Sequence, residues 1–358
     1  MKKKILIIDD SALMRRVFYD IINSDDRFEV VDTAKDGAEG FKLIVSRKYD
    51  AVVLDVYMPR MTGLEMLKEM QASNVHANVL MASTTTGEGE KETLTALELG
   101  AIDFIKKPEN VADARMDTFK NRFLQLLDIV ANAGSNARTE RLFEKKSADT
   151  KAPTFTARYD VNFHTPQKSA EKQAASVKST LRPGAAVAGR KIVAIASSTG
   201  GPKALQLVIP KLPKGIKAPI LLVQHMPKGF TRSLAERLNE LSEVSVSEAK
   251  TGDPLMEGHV YVAPGGQHLK VEKRDLGYYV NCTDEPSREG VKPCANYMFE
   301  SLCDTTYDEV VCVVLTGMGS DGTAGIKELD KKKNIHVIAQ DEDSSTVYGM
   351  PKSIAVAG

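Results

Sequence analysis

Apolar residues along the 358-residue chain fall into two alternating rhythms. From the N-terminus, short β-branched runs alternate with segments whose apolar residues recur every three or four positions: KILIID, SALMRRVFYDIIN, FEVVDTA, DGAEGFKLIVS, YDAVVLDV, GLEMLKEMQ, NVLMAS, EKETLTALELG and AIDFIKK. Strand and helix in regular alternation build parallel βα units, so this stretch predicts a doubly wound α/β sheet. Ser11 stands where it caps the first helix and Gly100 where it ends the fourth. Pro108 is expected to open a fifth, running through FKNRFLQLLDIV. A first domain over 1–128 follows. From 129 to 188 the chain turns to Ala, Ser, Thr, Lys, Gln and Pro, and neither period persists beyond a short helical patch at TERLFEKK. Too little apolar surface remains there to fix a backbone, so the segment reads as a flexible linker. Over 189–358 the rhythm resumes with RKIVAIASS, PKALQLVIPKL, APILLVQHM, TRSLAERLNEL, HVYVAP, GYYVNC, DEVVCVVLTGMG, DGTAGIKELDKK and IHVIAQD. That is a second doubly wound α/β domain with hairpin-like strands in its middle.

Composition narrows the class of protein. Lys plus Arg and Asp plus Glu each number 48, which removes the electrostatic footprint of a nucleic-acid or polybasic membrane binder. Apolar runs such as AVVLDV and PILLVQ are strand-sized, well short of the roughly 20 residues of a membrane span. Asp9 and Asp10 interrupt the N-terminal apolar run before any signal-peptide pattern develops. A cytoplasmic protein is expected, with no membrane insertion and no nucleic-acid partner. Cys282, Cys294, Cys303 and Cys312 form no CxxC pair or zinc spacing and read as buried reduced thiols.

Chemistry collects at predicted strand ends. Asp9 and Asp10 end the first strand and Asp55 the third, so three carboxylates emerge at the edge where open α/β sheets bind ligands. They repel one another unless a hard dication such as Mg²⁺ lies among them. Lys107 adds an ammonium and Ser83 a hydroxyl. Each residue alone reads as a helix-start charge, a turn residue or a solvated side chain. Together they suit capture of a phosphoryl group as an acyl phosphate. With DVYMPRMTG after Asp55 and the KP pair at Lys107, the first 120 or so residues resemble the receiver domain of two-component response regulators, a flavodoxin-like fold. The resemblance implies that Asp55 accepts the phosphoryl group, Asp9 and Asp10 hold Mg²⁺ with it, Lys107 pairs with the phosphate, and Ser83 switches toward it. Phe104 matches an aromatic position that moves with the switch, or is plain core.

In the second domain, KIVAIASSTGGPKAL reads as strand, tight turn and helix. Gly200 and Gly201 lift Ser198 toward helix N-terminal amides. His225 ends the next strand, and Asp321 follows a later one in VVLTGMGSDG, so a nucleophile, a base and an orienting carboxylate emerge at one edge. Individually they are a cap, a satisfied histidine and a turn residue. A rival reading takes Gly317, Gly319 and Gly322 as a GxGxxG dinucleotide fingerprint with Asp341 about 20 residues on, which leaves Ser198 and His225 without a role. The segments SSTGGP, QHMPKGFT, YVAPGGQHL, LTGMGSDG and AQDEDSSTVYGMP resemble the catalytic domain of the chemotaxis methylesterases, the response-regulator family often called CheB, so that the likeness spans essentially the whole chain.

That resemblance implies hydrolysis of glutamate γ-methyl esters on chemoreceptors, and often deamidation of receptor glutamines. Ser198 is implied as nucleophile, His225 as general base, Asp321 as its partner, and Thr199 with Met318 as oxyanion candidates. Ester hydrolysis needs no cofactor; Mg²⁺ serves receiver phosphorylation by a chemotaxis histidine kinase. The unphosphorylated receiver is expected to cover the esterase site. VKPCANYMFESL departs from many relatives, and the chain stops at AVAG where relatives usually continue, so packing near the last strand is expected to suffer. His76, His164, His259, His268 and His336 show no metal spacing, and only His268 is placed to line the groove. The competing classes are a transcriptional regulator, which needs a basic recognition helix that is not evident, and a signalling scaffold with an inactive esterase fold.

Overall fold

In the computed structural model, which describes residues 1–84, 87–108, 110–114, 116–133, 189–274 and 277–358, the first block forms five parallel strands. They are β1 (Lys3–Ile8), β2 (Phe28–Ala34), β3 (Ala51–Asp55), β4 (Val79–Ser83) and β5 (Asp103–Lys106), in the order β2-β1-β3-β4-β5. β3 and β4 are buried throughout, as the continuous apolar runs of a sheet covered on both faces require. The covering helices are α1 (Ala12–Asn23), α2 (Gly37–Ser46), α3 (Gly63–Ala72), α4 (Gly87–Glu98), α5 (Val111–Ala114) and α6 (Asp117–Asn132).

Local chemistry sets their ends. Ser11 Oγ accepts from the Met14 N–H at 3.3 Å, Asp36 caps α2, and Thr62 with Glu65 forms a capping box on α3. Gly100, at φ +108°, turns the chain out of α4. The single helix expected after Pro108 is instead two, because Met116 is extended at ψ 134° and α6 starts afresh after it, with no side-chain cap. α6 then runs past residue 128, holding Val130 and Ala131 in the core. The linker expected over 129–188, with its TERLFEKK patch and His164, lies outside the described residues from 134 onward.

The second sheet has six parallel strands: β6 (Lys191–Ser197), β7 (Ile220–Gln224), β8 (Ser245–Glu248), β9 (His259–Val262), β12 (Glu309–Val314) and β13 (Asn334–Ala339), ordered β13-β12-β6-β7-β9-β8. β10 (His268–Arg274) and β11 (Gly277–Thr283) form a separate antiparallel hairpin. The helices are α7 (Gly201–Val208), α8 (Phe230–Leu241), α9 (Ala295–Ser301), α10 (Thr323–Asp330) and α11 (Met350–Ala357). β6 has β7 on one side and β12 on the other, so connections diverge there and leave a crevice at its carboxyl end. All four cysteines are free, and no helix of the described residues is long and apolar enough to cross a membrane.

The two sheets belong to one compact unit. α4 lies along α8, with Arg237 Nε donating to Glu98 Oε1 at 2.8 Å, Ser233 Oγ to Glu90 Oε2 at 3.4 Å, and Lys91 3.7 Å from Glu236. Beneath these polar contacts the Phe104 and Phe230 rings stand 4.5 Å apart, and one apolar cluster runs from Leu94 and Leu97 into Phe230 and Leu234. On the opposite face of the first sheet, fully buried Phe123 stacks on Phe18 at 5.0 Å. Phe123→Ala is expected to destabilise the first sheet by about 3–5 kcal/mol. Urea unfolding followed by a probe in that sheet checks this; a loss below about 1 kcal/mol would contradict the core assignment.

Candidate active site and phosphoacceptor edge

At the carboxyl edge of the first sheet, Lys107 Nζ lies 2.6 Å from Asp9 Oδ2 and 2.7 Å from Asp55 Oδ2. Asp9, Asp10 and Asp55 bring carboxylate oxygens within 4.8 Å of one another, two of the residues buried and Asp10 exposed. Burial pushes Asp55 up to about 6; Lys107 opposes the rise, while Asp9 and Asp10 add to it. All-oxygen donors around one point, with an open side for water, fit a small hard cation such as Mg²⁺. Ser83 is fully buried, and its hydrogen bonds run toward α4: Thr93 Oγ1 lies 2.6 Å from Ser83 Oγ, and Ser83 Oγ donates to backbone carbonyls at Thr84 and Gly89. Thr93, which the sequence did not single out, therefore ties the Ser83 hydroxyl to the helix that packs on α8.

In the second sheet, Ser197 pairs in register with Gln224, so the following residues, Ser198 and His225, stand side by side at neighbouring strand ends. Gly201 N–H donates to Ser198 O at 2.7 Å and Gly200 adopts φ +76°, which closes the turn into α7. Gln224 Nε2 also donates to Ser198 O, and on the other side Ser198 N–H reaches Thr316 O after β12. The loop beyond β12 delivers Asp321, whose Oδ2 is 2.7 Å from His225 Nε2, with the two side chains only 3% and 6% exposed. Burial works to raise the Asp321 carboxyl, but His225, Cys294 and the Ala295 N–H outweigh it and hold it below the usual carboxylate range. With Nε2 turned to the carboxylate, the neutral ring keeps its lone pair on Nδ1. No hydrogen bond joins Ser198 Oγ to His225 among the described residues; such links are often long before substrate binds.

Thr199 and Met318 flank Ser198, and the N–H of neither has a protein partner among the described residues. Gly317 lets the strands close up: a Cβ there would come within 2.5 Å of Met350 Sδ and 2.7 Å of Ser198 Cβ. The dinucleotide reading fails on the same geometry. The N–H groups of Gly322 and Gly325 at the start of α10 both donate to Asn296 Oδ1, at 3.1 and 2.7 Å, so the amides that would receive a pyrophosphate are taken. Asp341 only caps a turn through Ser344.

His268 is wholly buried rather than groove-lining: Nδ1 accepts from the Cys294 N–H at 3.1 Å and Nε2 faces Pro286 O. Burial pulls its pKa down. His259 and His336 pair with Ser247 and Glu309. Ala295 and Asn296 bond Asp321 through backbone N–H groups, which leave no mark in a motif, and Cys294 bonds it through a thiol that the sequence reads only as a buried one, so all three were missed.

The first sheet abuts this edge. A cavity of about 430 Å³ is lined by Phe104, Lys107 and Arg122 together with His225 and Pro227. A smaller one sets Ala101 and Ile102 against Gly200 and Pro202. Buried Asp103 has its carboxyl raised by desolvation, with Thr199 and Arg122 as its stabilising neighbours.

The Asp55 shift has a measurable consequence. The folded state binds the Asp55 proton more tightly than the unfolded chain, whose carboxyl keeps its ordinary 3.8, so Asp55 lowers stability progressively as pH rises through about 6. In divalent-free buffer, Asp55→Asn is expected to stabilise the first sheet on the order of 2–3 kcal/mol above pH 7, with the gain vanishing below about pH 4. Urea unfolding at both extremes checks this; equal gains at both would contradict it.

Two family models match the chain in sequence order: the response regulator receiver domain over residues 5–116 and CheB methylesterase over 193–358. A Bacillus subtilis protein named protein-glutamate methylesterase/protein-glutamine glutaminase is 42% identical over 357 residues, covering 99% of this chain and 93% of its own. A Pyrococcus horikoshii protein of the same name is 40% identical over 100% of this chain and 89% of its own. Among solved structures, the Thermotoga maritima CheB methylesterase catalytic domain is 40% identical, covers 48% of this chain and 89% of its own, and aligns with a TM-score of 0.45. With both family models in place and the Bacillus relative matched almost end to end, the chain belongs to the CheB methylesterase family, its receiver domain preceding its catalytic domain.

Proposed function

We propose that the chain hydrolyses glutamate γ-methyl esters on chemoreceptors, and deamidates receptor glutamines, under control of phosphorylation at Asp55. The observation that carries this reading is the 2.7 Å contact of His225 with Asp321 beside Ser198, in a chain 42% identical to a protein-glutamate methylesterase/protein-glutamine glutaminase. Ser198 Oγ attacks the ester carbonyl carbon as His225 Nδ1 takes its proton. Asp321 stays ionised and stabilises the imidazolium. The tetrahedral oxygen falls to the Thr199 and Met318 N–H groups. Collapse expels the methoxy oxygen, which takes the proton from His225 and leaves as methanol. Water then attacks the acyl enzyme by the same route, releasing the glutamate carboxyl and restoring Ser198. With glutamine the leaving group is ammonia.

At the receiver edge, the Asp55 carboxylate accepts the phosphoryl group from a chemotaxis histidine kinase, and Lys107 neutralises one of its oxygens. Asp9, Asp10 and Asp55 would hold Mg²⁺, which supplies further charge neutralisation there. Ser83, drawn toward the phosphoryl group, gives up its contact with Thr93 on α4. α4 carries the Glu90 and Glu98 contacts to α8, so loosening it uncovers His225. The site of action is the cytoplasm.

Methanol release from a methyl-esterified receptor fragment tests the reading. Ser198→Ala is expected to lower it by about 10³-fold or more, and Asp55→Ala to abolish stimulation by a small phosphodonor. A folded chain with no Ser198-dependent release from a validated substrate would leave the inactive-scaffold reading. Control by the seam makes a separate prediction: Arg237→Glu raises the rate without phosphodonor about fivefold, and adding Glu98→Arg restores it. Unchanged rates in both variants would show that the α4–α8 contact does not restrain the site.

A further inference from the structure

The chemistry above uses Asp321 but leaves unexplained the residues that hold it. Asp321 Oδ1 accepts from the Cys294 thiol and from the Asn296 N–H, each at 3.0 Å. Its Oδ2 accepts from the Ala295 N–H at 2.6 Å and faces His225 Nε2 at 2.7 Å. A carboxylate offers about four acceptor positions, so this one is saturated. A carboxylate with fewer donors is free to rotate about its terminal bond; here two donors on each oxygen fix that rotation. Three of the four come from the first turn of α9 and the residue before it, whereas Asp321 itself stands just ahead of α10.

One side chain fastens these two helix starts together. Asn296 Oδ1 accepts from Gly322 and Gly325 N–H, while its Nδ2 donates to Glu289 Oε1 at 2.8 Å. Glu289 Oε2 in turn accepts from Ser320 Oγ at 3.1 Å, next to Asp321 in the chain. The Cys294 backbone is fixed separately by His268 Nδ1. Burial first, and then the Asp321 charge, pushes the Cys294 thiol up to about 12, so at neutral pH it is an S–H donor and not a second anion.

We propose that Cys294 and Asn296 are positioning residues of the Ser198–His225–Asp321 triad: the Cys294 thiol fixes which way the carboxylate faces and the Asn296 amide fixes where it stands. The inference rests on the esterase reading. Removing the thiol leaves a buried carboxylate oxygen short of a donor, and the carboxylate rotates to recover one at the expense of His225. Serine at 294 keeps a donor and alanine does not, which separates the hydrogen bond from mere volume.

The test uses the full chain, with methanol release, thermal stability and the downfield proton resonance of His225 Nε2–H measured on each variant. Cys294→Ala is expected to lower kcat about tenfold at unchanged KM and to move the resonance upfield, Cys294→Ser to stay within about twofold with the resonance retained, and Asn296→Ala to lower kcat about a hundredfold. Cys294→Ala with wild-type kcat and resonance, or serine and alanine variants equally impaired, would overturn the proposal. A wild-type chain that releases no methanol would defeat the esterase reading instead, and the resonance comparison would still decide whether Cys294 positions the carboxylate.

Discussion

Strand β5 is four residues long and serves two sites at once. Immediately after it, Lys107 bridges Asp9 and Asp55; within it, Phe104 packs on Phe230; at its start, Asp103 lies beside Thr199. Any change of charge at Asp55 therefore acts on a lysine whose preceding strand borders the His225 edge. The α4–α8 ion pairs flank that border, and the Thr93 hydroxyl ties α4 to Ser83 on β4. Two packed β-strands and one helix thus lie between Asp55 and His225 without a long relay, the kind of contiguous arrangement that a charge switch at Asp55 would require.

The two edges handle buried carboxylates in opposite ways. Asp55 has one ammonium for two buried carboxylates, and its pKa is raised to about 6. Excess negative charge of this kind favours the binding of a dication. Asp321 has four donors and a lowered pKa, so the charged form is favoured beside His225. The difference comes from backbone: Asp321 meets the N–H groups at the start of α9, and Asp55 has no comparable set among its described hydrogen bonds.

Much of this was legible in the sequence. Parallel βα units, the caps at Ser11 and Gly100, and the strand-end positions of Asp9, Asp55, Lys107, Ser198 and His225 follow from apolar periodicity and turn chemistry. What escaped has physical reasons. β8 is a short edge strand of mixed polarity, SVSE, and β10 has only the brief alternation Leu269, Lys270, Val271, Glu272 before it turns charged, so neither carries a long apolar run. α9 is seven residues long, too short for periodicity to register. The break at Met116 has no Gly or Pro to announce it. The support of Asp321 by Cys294, Ala295 and Asn296 joins segments about 25 residues apart, largely through backbone N–H groups that every residue carries.

The proposed coupling between the α4–α8 contact and Ser198 is tested most directly by the rate at which an organophosphorus serine probe labels Ser198, mapped by peptide mass spectrometry with and without a phosphodonor. Coupling predicts a single adduct on Ser198, forming slowly in the resting chain and severalfold faster after phosphorylation. Labelling at another residue, or at the same rate in both states, would contradict it.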